Sequence, residues 1–209
     1  MKVINLDHVE KRSGNEQFSS GKIKLDFTLE DFWSWSYSDL LNNITRGCLA
    51  EFIVAKALRA KIDVRNPWAT YDLDVAISGK QLKVEVKSAA YLQSWEQDEP
   101  SKIQFDIRKT KKLNFKKGKY EGRPKRHADV YVFALIKEKD DKVRASRLNV
   151  NQWDFYVVST ARLNKRTRSQ TSITLNSLKG EDGIKTEVVN YSGLRNAVLK
   201  AAKKQRTLR

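Results

Sequence analysis

Residues 71–87 read Tyr71-Asp-Leu-Asp-Val-Ala-Ile-Ser-Gly-Lys-Gln-Leu-Lys-Val-Glu-Val-Lys87, and this stretch decides the fold class. Apolar and polar residues alternate in two runs that are separated by Ser78-Gly79, a pair typical of a tight turn. The pattern predicts a β-hairpin with one buried face. The buried face takes the apolar side chains, which are Tyr71, Leu73, Val75 and Ile77 from the first run and Leu82, Val84 and Val86 from the second.

The length of the loop sets the register of this hairpin. A loop of two residues pairs Ile77 with Lys80 and, counting outward, Asp72 with Glu85, and a four-residue loop keeps that register. A three-residue loop would turn the acids toward the apolar face, which one-sided burial excludes. We therefore expect Asp72 and Glu85 to stand opposite each other, roughly 4.5–5.5 Å apart at Cβ, with Lys87 on the same face. Carboxylates this close repel unless a cation joins them, and Mg²⁺ suits such a site because it needs few protein oxygens.

Asp72, twelve further residues and Glu85-Val86-Lys87 together resemble the motif of the PD-(D/E)XK nucleases, a superfamily that includes restriction endonucleases and Holliday junction resolvases. Tyr71 stands where the motif has proline. The resemblance implies an α/β (α+β) fold with a restriction-endonuclease-like core, in which helices flank a mixed central β-sheet. It also implies a metal-dependent DNA endonuclease that hydrolyses phosphodiester bonds.

The resemblance also implies the roles of the site residues. Asp72, Glu85 and the backbone carbonyl of Val86 would hold Mg²⁺, for which Mn²⁺ would substitute. Lys87 would stabilise the attacking hydroxide and the charge on phosphorus. Asp74 lies on the same face and is an alternative or additional metal ligand, unless it forms a structural salt bridge with Lys83.

A helix upstream of the hairpin carries one more candidate acid. We predict that Ser38 or Asp39 caps a helix running to about Ala60. Its buried stripe follows three- and four-residue spacing and consists of Leu41, Ile44, Cys48, Phe52 and Ala55. Glu51 lies at the edge of this stripe, where a carboxylate is costly unless it is paired or bound to metal. The resemblance implies that Glu51 is a catalytic, metal-binding residue, and a salt bridge to a nearby Arg or Lys is the alternative.

The charge of the chain indicates a polyanionic partner. Lys and Arg outnumber Asp and Glu by 41 to 25, which gives a formal net charge of +16. No apolar run reaches the ~18 residues of a membrane span and no signal peptide opens the chain, so we expect a cytoplasmic protein that binds DNA rather than membrane. With one cysteine, Cys48, the sequence excludes an intrachain disulfide and a thiolate metal cluster.

The segment from Arg108 to Arg126 holds ten cationic residues and one acid, Glu121. We interpret it as a loop that contacts the DNA backbone and becomes ordered on binding, with a solvated surface as the alternative. The residues predicted to contact nucleic acid are Ser88, Gln93, Lys109, Lys111, Lys112, Lys116, Lys117, Lys119, Arg123, Lys125 and Arg126. Ser88 and Gln93 could equally be structural.

The chain divides by pattern into three parts. Residues 1–37 form an arm and a short helix whose aromatic residues Phe32, Trp33 and Trp35 we expect to pack on the next helix rather than stack on bases. Residues 38–160 form the nuclease core, which includes a fully buried strand at 129–136. Residues 161–209 form a C-terminal extension with a basic helix. No helix is evident between 88 and 128, so the topology after residue 88 stays open.

A second function fits the same composition. A non-catalytic protein that binds DNA or RNA would use the basic segment and the basic tail, and its acids would pair with neighbouring lysines. The sequence leaves the oligomeric state open, and a homodimer is one option because enzymes that cut both strands commonly need two active sites.

Overall fold

The protein has a mixed α/β fold, described by a computed structural model for residues 9–61, 63–77, 79–114, 117–140 and 147–207. The strands are β1 (Gln17–Ser20), β2 (Ile23–Thr28), β3 (Leu73–Ile77), β4 (Lys80–Ala90), β5 (Gln104–Asp106), β6 (Thr110–Asn114), β7 (Lys119–Lys125), β8 (Val130–Ile136), β9 (Trp153–Ser159), β10 (Ser172–Thr174) and β11 (Val188–Val189). The helices are α1 (Leu29–Tyr37), α2 (Asn43–Leu58), α3 (Thr160–Thr167), α4 (Leu175–Lys179) and α5 (Tyr191–Thr207). None of the helices in these ranges is long and apolar enough to cross a membrane.

A central mixed sheet organises the fold, with its strands in the order β11-β9-β8-β4-β3. Strand β4 pairs antiparallel with β3 and parallel with β8, and β9 pairs antiparallel with β8. Every residue of β8 is buried, as the continuous apolar run predicts. The predicted fold class, a mixed sheet flanked by helices, is confirmed.

Helices and short strands cover both faces of this sheet with apolar side chains. On one face α2 and α5 pack over Val84, Val86 and Val132. On the other face β5, α3 and α4 pack over Phe133 and Tyr156. Residues after 160, predicted as an extension, contribute buried side chains to both faces, so they belong to the same packed body.

The β3–β4 hairpin has the register that the sequence predicts. Ile77 pairs with Lys80 and Leu73 pairs with Val84, and Gly79 takes the positive φ of +73° that a tight turn requires. One expectation for its buried face was wrong, because Tyr71 packs against the opposite core. Tyr71 lies before Leu73, where the pairing of β3 with β4 begins. The alternation of side chains along the strand therefore does not set the direction of the Tyr71 side chain.

Helix α2 begins later than predicted and buries a different face. Asn42, not Ser38 or Asp39, is the N-cap, and its side chain accepts a hydrogen bond from the Ile44 N–H at 3.0 Å. The residues buried against the sheet are Ala50, Ile53, Val54, Ala57 and Leu58. From the predicted stripe, Ala55 is buried and Leu41 packs partly against the core, whereas Ile44 and Phe52 are 74% and 52% exposed. Both stripes have helical spacing.

The basic segment is a β-hairpin rather than a loop. Strands β6 and β7 pair only with each other, and every residue of β7 is exposed. No helix occurs in the described residues between 88 and 128, so β5 and this hairpin provide the connection between the parallel strands β4 and β8.

Arg126, which is among the residues predicted to contact DNA, has a buried guanidinium. It donates hydrogen bonds to the Ile107 carbonyl at 2.8 Å, to Asn164 Oδ1 at 2.6 Å and to the Gln170 carbonyl at 3.1 Å. These bonds fasten the base of the basic hairpin to helix α3 and to the turn that follows it.

We predict that Arg126→Met lowers the free energy of unfolding by about 1–3 kcal/mol, because the buried Ile107 carbonyl loses its donor. The exposed neighbour Lys125 provides the control, and Lys125→Met should change the value by less than about 0.5 kcal/mol. Urea denaturation of both variants measures the difference. Equal stabilities would show that the buried network contributes nothing.

Candidate functional site

Asp72 lies at the point where the polypeptide leaves the sheet. The regular ladder ends at the pair of Leu73 and Val84, and the Asp72 N–H donates to the Val84 carbonyl at 3.1 Å. The Asp72 carboxylate then accepts a hydrogen bond from the Val86 N–H at 2.7 Å, which takes the place of a backbone partner. The regular pairing therefore stops one residue short of the predicted pair of Asp72 and Glu85, although the two acids remain neighbours in electrostatic terms.

Glu85 and Lys87 project from β4 on the face opposite to the buried Val84 and Val86. Their side chains form an ion pair, with 2.6 Å between Lys87 Nζ and Glu85 Oε1. Burial lowers the pKa of Lys87, but the neighbouring Glu85 carboxylate outweighs it, so the net effect is a raised pKa and a charged ammonium at neutral pH. Tyr131 is the register partner of Glu85 on β8, and its phenol is buried beside this pair.

Asp72 has no side-chain cation of its own. Burial of the carboxyl group raises its pKa to about 7, and the negative charges of Glu85 and Glu51 add to this effect. The Val86 N–H and the Lys87 ammonium oppose the shift without cancelling it. The folded protein therefore holds Asp72 in an environment that disfavours its negative charge.

Glu51 forms the salt bridge that the sequence left as the alternative to metal binding. Arg65 grips its carboxylate through two hydrogen bonds, 2.6 Å from Nε to Oε2 and 2.7 Å from Nη2 to Oε1. This bidentate pair raises the pKa of Arg65. Glu51 is buried on α2 and close enough to Asp72 to raise its pKa, but its oxygens are directed to the guanidinium.

Asp74 is exposed and lines the same cleft as Asp72 and Glu51. Its carboxylate accepts a hydrogen bond from the Tyr71 hydroxyl at 3.1 Å. The salt bridge with Lys83, which was the alternative to metal binding, does not form although the two residues are register partners, because the Lys83 ammonium lies over the Tyr71 ring instead, 5.1 Å from its centroid. Asp74 therefore has a structural role in holding Tyr71.

A groove of about 240 Å³ opens over Glu85 and Lys87. Its far wall is the base of the basic hairpin, and the lining residues there include Arg108, Lys109, Thr110, Lys125 and His127. Asp106 from β5 also reaches the groove, where Arg108 holds its carboxylate at 2.5 Å. The groove thus combines one ion-paired acid at its floor with an excess of cations at its rim.

The other predicted nucleic-acid contacts fall into two groups. Ser88 and Gln93 are engaged by the buried Arg46, whose guanidinium lies 3.4 Å from Ser88 Oγ and 3.1 Å from Gln93 Oε1, so their structural reading is the one that the geometry supports. The exposed cations of the basic segment are Lys109, Lys111, Lys112, Lys117, Lys119, Arg123 and Lys125. Among these, Lys117 pairs with Glu121 at 2.9 Å. Lys116 lies outside the described residues.

Two residues near the acids were missed from the sequence. Arg65 follows no pattern that points to Glu51, because fourteen residues of loop and helix separate them. Asp106 stands in an alternating strand as one exposed polar residue among others. Only the folding of the 59–72 connection and of β5 toward β4 brings them to the site.

The acidic donors near β4 set which metal ion the site could hold. Among the described residues, no three acidic, His or Cys side chains converge tightly enough to form a metal cage. Asp72 and Glu85 remain as two neighbouring carboxylates. The Val86 N–H points toward Asp72, and since the N–H and C=O of one strand residue point to the same side, its carbonyl faces the same gap. Two carboxylates and a carbonyl suit Mg²⁺, which keeps several of its waters.

We predict that Asp72→Asn stabilises the metal-free protein, and by more at pH 8 than at pH 5. A carboxyl group whose pKa rises from 3.8 unfolded to about 7 folded loses stability as pH increases through that window, because the folded state binds the proton more tightly. Thermal melting in chelator measures the difference from wild type. Asp74→Asn, at an exposed position, is the control, and an Asp72→Asn gain that is equal at both pH values would contradict this electrostatic account.

Comparison with known proteins identifies the family. The family described as Bacteriophage T4 endonuclease IV matches residues 16–177. Among solved structures, the bacterial homing endonuclease I-Ssp6803I is similar at 19% sequence identity and a TM-score of 0.40, covering 77% of this chain and 93% of that one. No curated protein matches the chain. Because the family match spans residues 16–177 and includes α2, the β3–β4 hairpin and the basic hairpin, the chain belongs to the bacteriophage T4 endonuclease IV family.

Proposed function

We propose that this endonuclease is a Mg²⁺-dependent deoxyribonuclease of the PD-(D/E)XK type, with its active centre at Asp72, Glu85 and Lys87. The observation that carries the proposal is the placement of Asp72 on the Val86 N–H, between Glu85 and Lys87 of a strand that lines a cationic groove, where burial and neighbouring acids raise the pKa of Asp72. Carboxylates that a fold holds together against their mutual repulsion form a site for a cation. Membership of an endonuclease family supports a role in phosphodiester cleavage.

Asp72, Glu85 and the Val86 carbonyl would hold the metal. When bound, Mg²⁺ lowers the pKa of a coordinated water and neutralises charge on the phosphate. Asp72 is the more favourable ligand, because a cation there would relieve the repulsion that raises its pKa. Glu85 would exchange part of its contact with Lys87 for the metal. Glu51 is bound by Arg65 and acts on the site through its charge.

Lys87 provides the positive charge that catalysis needs. Its ammonium is already fixed by Glu85 and points into the groove where a scissile phosphate would lie. A preorganised cation stabilises charge that develops on the phosphate oxygens and on the nucleophile. The raised pKa of Lys87 means that it serves as an electrostatic donor rather than as a general base.

The basic hairpin would hold the DNA backbone along the groove. Its exposed cations, Lys111, Lys112, Lys119 and Arg123, lie beyond the rim formed by Lys109 and Lys125. Contacts with phosphates orient a substrate without reading its sequence. This arrangement would place one strand across Glu85 and Lys87.

A non-catalytic nucleic-acid-binding protein is the second candidate. The ion pairs of Lys87 with Glu85 and of Arg65 with Glu51 favour it, because acids paired with nearby cations need no metal. It leaves the repelled Asp72 without a role. The two candidates differ in one measurement, which is metal-dependent cleavage of plasmid, single-stranded or branched DNA.

We predict that Asp72→Asn and Glu85→Gln each abolish cleavage in Mg²⁺ or Mn²⁺ while the fold stays intact, because each removes ligand charge. Lys87→Met should bind Mg²⁺ and DNA nearly as wild type does but cleave about a hundred- to a thousandfold more slowly. Single-turnover cleavage and calorimetric Mg²⁺ titration measure these effects. Asp74→Asn is the matched control and should cleave at the wild-type rate.

Two results would count against this site. Wild-type cleavage by Asp72→Asn or Glu85→Gln would mean that the active centre lies elsewhere. Near-normal cleavage by Lys87→Met at saturating Mg²⁺, together with lower thermal stability in chelator, would reduce Lys87 to a structural partner of Glu85.

We predict that changing Lys111, Lys112 and Lys119 to Gln weakens DNA binding and flattens its salt dependence by roughly 0.9 per lost phosphate contact on duplex DNA. The cleaved positions should not change. The control changes the exposed lysines Lys22, Lys24 and Lys179, which removes the same charge elsewhere. An identical salt slope in both triple variants would mean that the hairpin makes no specific contact with DNA.

A further inference from the structure

A cleft of about 820 Å³ opens beside the acids on the helix side of the sheet. Its apolar lining includes Trp33 and Tyr37 from α1 and Phe52 from α2. Its charged lining includes Glu51, Arg65 and Asp72, together with Lys61, Asp63 and Asp74. Asp72, the proposed metal ligand, is therefore part of the lining.

The aromatic side chains around this cleft stay partly exposed. Helix α1 buries none of its residues, contrary to the expectation that its aromatics pack on the next helix. Trp33 is 37% exposed, and Gly14 lies against its ring, so closely that a Cβ at Gly14 would stand 3.1 Å from the indole. Exposed aromatics grouped around a cavity mark a binding site.

The charged lining of the cleft has unused hydrogen-bonding capacity. Arg65 directs Nε and Nη2 to Glu51, and its side chain remains 45% exposed. A guanidinium has five N–H donors, so those on Nη1 remain available to a ligand. A flat ring with hydrogen-bond acceptors on its edge could stack on the aromatic side chains of the cleft and accept a hydrogen bond from Arg65 Nη1.

The position of the cleft limits what can occupy it. Asp72 is both a proposed metal ligand and part of the cleft lining. A strand whose phosphate lies at Asp72 therefore passes the mouth of the cleft. A second copy of the chain is disfavoured, since each copy has a net charge of +16. Bases stack on aromatic side chains whatever their sequence. We propose that this cleft is a nucleobase subsite, which takes one unstacked base of the strand held at Asp72 and Glu85.

The subsite deepens the proposed function and rests on it. The base would come either from a single strand or from a duplex in which one nucleotide has been displaced. Either source supplies the same chemistry, which is a planar heterocycle carrying edge acceptors. Stacking would fix the neighbouring phosphate relative to Asp72.

Binding of short DNA oligonucleotides that lack a single base tests the subsite. The protein carries Lys87→Met, which slows cleavage, and Mg²⁺ is present so that the metal can hold the strand at the acids. Removal of the base at one position should weaken binding about tenfold, and removal at other positions should have less effect. In the Trp33→Ala variant the loss at that position should disappear.

The matched control is Trp35→Ala. Trp35 lies on the same helix, is 84% exposed and is outside the cleft lining. This variant should keep the tenfold loss at the sensitive position. Where Trp33→Ala melts well below wild type, Phe52→Ala replaces it with the same expected outcome. The proposal would be overturned if removing the base weakened binding equally in Trp35→Ala and in Trp33→Ala or Phe52→Ala.

Three DNA forms separate the sources of the base, namely a single strand, a duplex with one bulged nucleotide and a fully paired duplex. We call the two changes coupled when base removal weakens binding by the wild-type protein but not by Trp33→Ala. Coupling on any of these DNA forms supports the subsite. Absence of coupling on all three overturns it. Sedimentation equilibrium adds a further criterion, because a dimer that Trp33→Ala dissociates would make the cleft a protein interface and end the proposal.

The two proposals can fail separately. Coupling at Trp33 together with unimpaired cleavage by Asp72→Asn would leave the subsite in place and remove the proposed active centre. Loss of cleavage in Asp72→Asn without any coupling at Trp33 would leave the active centre and remove the subsite. Binding is measured with the Lys87→Met protein and does not depend on cleavage, so each result is read independently.

Discussion

The repulsion between Asp72 and its neighbouring acids is the constraint on which the site depends. The hairpin has no way to relieve it by shifting, because a slip of one residue would move Val75, Leu82 and Val84 out of the core under α2 and onto the opposite face of the sheet. Burial of each such side chain stabilises the fold by roughly 1.5–3 kcal/mol, so the three together favour the observed register. The sheet therefore keeps the acids in place.

The cations near these acids are distributed unevenly. Lys87 holds Glu85, and Arg65 holds Glu51 with two hydrogen bonds. Asp72 receives one backbone N–H, and burial together with the other two acids raises its pKa. This asymmetry distinguishes Asp72 as the position where an added cation would contribute most. Glu85 and Glu51 are each neutralised by an ion pair that stabilises the fold. Asp72 is the acid that leaves the group able to bind a cation.

The surroundings of the acids differ on the two sides of the sheet. On the β5 side, the floor of the groove carries Glu85 and Lys87 and its rim carries the cations at the base of the basic hairpin. On the helix side, the lining of the cleft includes aromatic residues as well as Arg65 and Asp72. A polyanionic strand with flat bases is the ligand that would use both surfaces, with its phosphates on one side and a base on the other.

The sequence by itself determined the local structure of the hairpin and the class of the fold. Strand alternation and the Ser78-Gly79 turn lead to the observed register, and the continuous apolar run leads to the buried β8, because both patterns reflect short-range geometry and one-sided or two-sided burial. Tertiary structure alone decided which side of α2 faces the sheet, since two apolar stripes compete and only close packing distinguishes Ala50 from Phe52. It also decided that Arg126 is buried and that Glu51 meets Arg65, because a charged residue carries no local mark of a partner fourteen or more residues away.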